Sequence, residues 1–200
     1  MAQLSRTLIA TALTLICLAA FPADAKKLVT NGSFEDPVVP DGGFQLISHG
    51  NAFSGWNVVG GGNIGIFSGD YQQEGFTFPA KKGGQWLDLT GNTNANAGVQ
   101  QDIATKPGST YVLTLYVGNI NQPGGDLGTT STVNVMIDGK PFASFTNKSG
   151  KSETSQAWKK FSTEFVAENA TTTIAFFNGD AAGDSSNGLD GVTVARSHAP

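Results

Sequence analysis

Cysteine and histidine are nearly missing from this 200-residue chain: there is one Cys, Cys17, and two His, His49 and His198. That scarcity excludes a zinc centre, which needs a cluster of Cys or His ligands. It also leaves no Ser–His or Cys–His arrangement for nucleophilic catalysis, since His49 lies next to Gly50 with no nucleophile motif and His198 is three residues from the end. Positive charge is scarce too. The 12 Lys and Arg are scattered and the net charge is −4, so no basic face exists to displace the counterions of a nucleic acid.

Long apolar runs are confined to the start. Residues 1–25, MAQLSRTLIATALTLICLAAFPADA, carry Arg6, an apolar stretch at 8–21 and the small-residue site Ala23-Asp24-Ala25, the parts of a secretory signal peptide. Cleavage there removes Cys17 and starts the mature chain at Lys26. The bulky Leu15 and Ile16 before Cys17 do not suit a lipoprotein site. The expected product is exported, extracellular or periplasmic, with no disulfide to staple it and no membrane span after cleavage. The expected division is a leader at 1–25, one domain at 26–196 and a tail at 197–200.

What the chain does have is β-forming composition: 26 Gly, 13 Phe and many Thr, Val and Asn, without helical periodicity. Residues 111–117, YVLTLYV, follow the turn Lys106-Pro107-Gly108, where Pro and Gly suit the two central positions of a type II turn. Residues 132–137 alternate Val133, Val135 and Ile137 with Thr132, Asn134 and Met136, then meet Asp138-Gly139, a strong hairpin signal. Further strands are predicted at 56–59, 63–67, 85–89, 99–103, 161–166, 172–177 and 189–195. Such a series of short strands suits an all-β, two-sheet antiparallel sandwich of jelly-roll type. Trp56 and Trp158 each open a strand pattern and are predicted in the core, and Gln101, alternating with Val99 and Ile103, is predicted as a buried, hydrogen-bonded amide.

The order of LVTNGSFEDP (28–37), GWNVVGGGNIGI (55–66), GGQWLDLTG (83–91), GVQQDIATKPGSTYVLTLYVGN (98–119), AWKKFSTEFVA (157–167) and NGLDGVTV (187–194) resembles the galactose-binding-like jelly rolls. Within them it is most similar to a group of secreted domains of unknown function in plant cell-wall and exported bacterial proteins. The resemblance implies kinship with non-catalytic carbohydrate-binding modules. It also implies a structural calcium where the first and last strands meet. Carried over by motif, Glu35 and Asp190 would be its acidic ligands, with carbonyls from Thr30 and Lys82, and 28–37 would be the first strand with Phe34 in the core. On the alternative reading these acids are solvated and the Asn-Gly pairs are turns.

A glycan needs flat aromatic surface beside carboxylates or amides. Residues 67–86, FSGDYQQEGFTFPAKKGGQW, supply Tyr71, Phe76, Phe78 and Trp86 among Asp70, Gln72, Gln73 and Glu74. With Leu87 and Leu89 directed to the core, strand parity turns Trp86 and Asp88 to the opposite face. The alternative is that the loop folds over and buries Trp86 with Phe76 or Phe78. Asn119 and Asn121 are loop residues that could reach a ligand, and Asn31, Asn147 and Asn169 begin Asn-x-Ser/Thr sequences. A glycosidase needs a carboxylate pair, but the spacing of Asp70, Glu74 and Asp88 selects none. The expectation is a non-catalytic carbohydrate-binding protein of cell-wall or extracellular polysaccharide, the alternative being a structural or adhesive protein that binds another exported protein.

Overall fold

The computed structural model describes residues 27–149, 154–181 and 184–197; the leader at 1–25 and His198 lie outside them. Among the described residues there is no helix, and so none long and apolar enough to cross a membrane. The strands are β1 (Phe44–Ser48), β2 (Ala52–Phe53), β3 (Trp56–Gly60), β4 (Asn63–Ser68), β5 (Gln72–Gln73), β6 (Phe76–Thr77), β7 (Gln85–Asp88), β8 (Ala97–Ala104), β9 (Thr110–Asn119), β10 (Ser131–Ile137), β11 (Lys140–Asn147), β12 (Ala157–Val166), β13 (Thr171–Asn178) and β14 (Gly188–Arg196). They form one six-stranded sheet in the order β1-β4-β7-β14-β9-β12, a second in the order β11-β10-β13-β8-β3-β2, and a small hairpin β5-β6. All strand pairs are antiparallel, as in a sandwich.

Local signals place the turns. Asp138 and Gly139 take φ of 50° and 72° and join β10 to β11. Gly108 has φ 73° and Ser109 N–H donates to Lys106 O at 3.0 Å, which closes the turn before β9. Alternation then fills the core: Val133 and Val135 of β10, Leu113, Leu115 and Val117 of β9, and Leu87 and Leu89 are buried between the sheets with Trp56, Phe34 and Phe176. Trp56 Nε1 keeps a partner there, donating to Asn31 O at 3.0 Å. Trp158 departs from expectation, because its place on β12 turns it to the outer face of the first sheet rather than into this core.

The stretch at 28–37 is not a strand. Asn31 and Phe34 have positive φ (48° and 56°), which breaks any extended run, although Phe34 is fully buried as expected. Side chains hold this irregular backbone in place. Gln101 accepts from Thr30 N–H (2.7 Å) and donates to Thr30 O (3.0 Å), so it is the buried amide that alternation foresees. Gln85, 5% exposed, accepts from Val39 N–H (2.6 Å) and donates to Phe34 O (2.7 Å) and Pro37 O (2.9 Å). Gly32 O accepts from Val192 N–H at 2.7 Å, so the two ends of the domain do lie together.

Gln85→Ala strands a buried N–H and two carbonyls, and should cost about 1–3 kcal/mol of stability by urea unfolding. An unchanged midpoint would show that water replaces the amide.

Candidate functional site

The loop between β4 and β7 folds back over the outer face of the first sheet and makes a second apolar cluster: Phe76, Phe78, Trp86, Ile120 and Leu127, with Phe67, Tyr71, Ala80 and Trp158 against it. Trp86 is 2% exposed and both of its faces are covered. Phe67 stacks on one side at 5.0 Å and Phe78 on the other at 5.9 Å, while Trp158 meets it edge-on at 6.2 Å. Parity did turn Trp86 away from the main core; the loop then covered it. Four of the five predicted glycan-site residues are thus gathered in one place, but Phe76, Phe78 and Trp86 are buried and only Tyr71 keeps partial exposure. The open aromatic on that side is Phe44 of β1, 48% exposed and stacked on Phe67 at 4.9 Å.

Asp88, the fifth, lies on the same face but is buried. Its carboxylate accepts from Thr90 Oγ1 (2.8 and 2.7 Å), Gly91 N–H (3.0 Å) and Asn187 N–H (3.1 Å). Burial outweighs these donors and pushes its pKa up to about 6. It ties the end of β7 to the start of β14 and offers nothing to a ligand in solvent. Asn119 is fully buried as well, donating to Thr129 O and accepting from Ser131 Oγ, and Asn147 is held inside by Val117 O and Ala157 O.

Glu35 and Asp190 do come together, at one loop. Glu35 accepts from Gly84 N–H (3.0 Å) and Gln85 N–H (3.0 Å); Asp190 accepts from Lys81 and Lys82 N–H, both at 2.8 Å, and from Gly191 N–H. A bulge in β14 between Asp190 and Thr193 allows this, with Gly191 at φ 57°. Gly83, at φ 75°, is obligatory, because a Cβ there would lie 2.3 Å from Glu35 Oε1. A calcium ion needs a shell of six or more oxygens. Here both acids face peptide N–H groups, Lys82 offers Asp190 its N–H, and Thr30 O is engaged by Gln101. Both carboxylates and Thr30 O are thus already engaged by protein donors, and no role is assigned to an ion at this junction. Burial raises Asp190 to about 7, with the nearby Glu35 charge adding to the rise.

The outer face of the second sheet carries a groove. Opposed residues Val59, Gly98, Phe177, Asn134 and Ser144 cross it in one line over β3, β8, β13, β10 and β11. Phe177 lies down along that line: a Cβ on Gly98 would come 2.7 Å from its Cδ1, and one on Gly60 would come 3.2 Å from its Cε1. Gly98 gives the ring this bed, while Gly60 borders it and is itself fixed by a φ of 81° and by Asn96 O, which would lie 2.1 Å from a Cβ there. A groove of about 500 Å³ runs above it, lined by Asn96, Asn134, Met136, Phe142, Ser144 and Phe177 among others. Sequence reasoning missed Phe177, although a signal existed: in Phe176-Phe177 on a strand, one ring must face out.

The profile of a family described as proteins of unknown function, DUF642, matches residues 27–194. This chain belongs to the DUF642 family. No curated protein matches it. Among solved structures it is similar to a cyclase from Fischerella sp. TAU in complex with 4-(1H-indol-3-yl)butan-2-one, at 17% identity, TM-score 0.57, covering 86% of this chain and 99% of that one. A family 35 carbohydrate-binding module from an environmental isolate is more distant, at 13% identity, TM-score 0.37, covering 52% of this chain and 73% of that one. At such identities the first likeness shows that this DUF642 domain shares the β-sandwich fold of that cyclase. The two-sheet antiparallel β-sandwich expected from the strand pattern is the fold observed.

Asp190 and Asp88 are raised above their ordinary 3.8 by burial, so the folded chain keeps protons that the unfolded chain has released. The stability these two groups contribute should therefore be fully present near pH 4 and be lost as pH rises to about 7, and Asp190→Asn should flatten the slope between about pH 6 and 7. Urea unfolding across this window is the check, and a rise in stability with pH would contradict the assignment.

Proposed function

We propose that this is an exported, non-catalytic carbohydrate-binding domain, and that an extended cell-wall or extracellular glycan lies in the groove across the second sheet. The observation that carries the reading is Phe177, held flat on Gly98 and bordered by Gly60, between Asn96 and Asn134. An aromatic face at the floor of a groove matches the C–H face of a pyranose, and the flanking amides can both donate to and accept from its hydroxyls. Met136 and Phe142 extend the apolar floor beyond one ring, which suits a chain of sugars more than a single one. Among the described residues no carboxylate lines this groove, whereas glycoside hydrolysis needs two. That supports binding without turnover.

The buried cluster around Trp86 has a different part in this reading. It anchors the long loop and stiffens the first sheet, so the ligand face rests on a rigid sandwich.

Affinity electrophoresis against a panel of plant and bacterial polysaccharides tests the proposal. A glycan that retards the wild-type chain should bind Phe177→Ala about tenfold more weakly, as expected for loss of one aromatic contact of roughly 1.4 kcal/mol. Phe177→Ala should stay folded because the ring is only half-buried. Trp86→Ala, in contrast, should lose about 3–5 kcal/mol of stability, with binding lost only in proportion to unfolding. Retardation that survives Phe177→Ala and vanishes with Phe44→Ala would move the site to the first sheet. Retardation by no glycan would defeat the reading in favour of a protein partner, and release of reducing sugar would make the domain an enzyme.

A further inference from the structure

Beside the groove, where β13 ends and β14 begins, the fold buries oxygen atoms that no protein group satisfies. They are Asp180 Oδ2, Asp184 Oδ1, Ser186 Oγ and Asn187 Oδ1. Asp180 and Asn187 close on the same two neighbours, Thr132 and Asn178, while Asp184 and Ser186 meet the adjoining 128–131 segment. Asp180 accepts from Thr132 N–H through its other oxygen and donates its own N–H to Asn178 Oδ1 at 3.1 Å. Asn187, 0% exposed, grips the same two residues: its Nδ2 donates to Thr132 O at 2.6 Å and to Asn178 Oδ1 at 2.8 Å. The Asp184 carboxylate faces the backbone N–H groups of Thr130, the buried Ser186 and Thr129, and its Oδ1 is still left without a hydrogen bond. Asp184 is seated against Gly128, where a Cβ would lie 2.1 Å from its Cγ.

Two carboxylates and two neutral oxygens in such a place need a positive partner. Among the described residues none is paired with them: the ion pair formed there is the exposed Lys140–Glu168. The like charge of Asp184, and that of Asp88, adds to burial in pushing Asp180 up to about 8. Buried polar atoms are ordinarily paired, and leaving four bare in one corner is costly. The donor set is all oxygen, mixed in charge and irregular in spacing. That favours calcium over magnesium, which demands a regular octahedron, and over the transition metals, which favour nitrogen or sulfur. Groups of three or more Asp, Glu, His or Cys are absent among the described residues; the amide and hydroxyl oxygens complete this set instead.

We propose that Asp180, Asp184, Ser186 and Asn187 hold a calcium-type divalent cation, at a site separate from the Glu35–Asp190 junction. The ion ties Asp180 and residues 184–187 to the 128–132 segment across from them. It thereby sets the end of the glycan groove, since Gly179 packs against the Asn134 side chain, where a Cβ would lie 2.7 Å from Nδ2.

The test uses the full exported chain stripped with chelator, with calcium chloride as the sole added ligand. Calorimetric titration should give one calcium per chain, and the melting temperature should rise by about 5–10 °C at calcium a hundredfold above Kd. Asp184→Asn and Asp180→Asn should each weaken the titration by about tenfold or more, a loss of roughly 1.4 kcal/mol, whereas Glu35→Gln and Asp190→Asn should leave it unchanged. Circular dichroism in chelator establishes that each variant is folded, and Ser186→Ala, which keeps both charges, serves if an aspartate variant is not. No heat and no thermal shift in the wild type would overturn the proposal, with water satisfying these oxygens. So would a calcium response that persists in both Asp180→Asn and Asp184→Asn, or one abolished by Glu35→Gln.

Discussion

Most of this structure depends on one constraint: peptide groups that leave the strand ladders must still be paired where they are buried. The chain meets it with short polar side chains placed inside. Gln85 and Gln101 hold the irregular segment before β1, Glu35 and Asp190 collect the N–H groups of the 81–85 loop, and Asp88 binds the start of β14 to the end of β7. Asn119, Asn147 and Asn187 do the same at the other end of the sandwich. These bonds join loops to sheets, and each is worth more by its absence than by its presence. The acids carry a cost of their own, since burial acts against their charged forms.

That cost separates the two acidic corners. At the chain ends, peptide N–H groups face the carboxylates and nothing further is required. At Asp180 and Asp184 the neighbouring donors leave an oxygen of each side chain bare, together with Asn187 and Ser186. The same residue types thus close a junction in one place and invite an ion in the other. The difference lies in what the facing backbone offers.

The aromatic residues divide in a similar way. Phe34, Trp56 and Phe176 fill the space between sheets, whereas Phe67, Phe78, Trp86 and Trp158 cement the long loop to the first sheet. Both groups are spent on packing. Phe177 differs because Gly98 beneath it replaces a side-chain neighbour, and the half-buried ring lines the groove. Glycine is the ordinary means of bringing a ring so near a backbone. Its position here, on β8, sets where a flat ligand would rest.

Where bonding is local, the sequence by itself determined the outcome. Asp138-Gly139 and Pro107-Gly108 demand their turns through backbone sterics, and alternation assigned Val133, Val135, Leu87 and Gln101 to the core side because side chains on a strand repeat every second residue. From the same parity one learns that Trp86 faces away from the main core, but not that a loop returns to cover it. β1, FQLIS, escaped notice because it is an edge strand with Phe44 and Leu46 exposed, so its pattern is inverted. Tertiary structure alone decided that 28–37 is irregular, that Glu35 and Asp190 meet over N–H groups, that Phe177 lies on Gly98 beside Gly60, and that Asp180 and Asn187 share Thr132. Each joins segments dozens of residues apart, or follows from which neighbours a side chain meets, and no local preference encodes a distance across the sandwich.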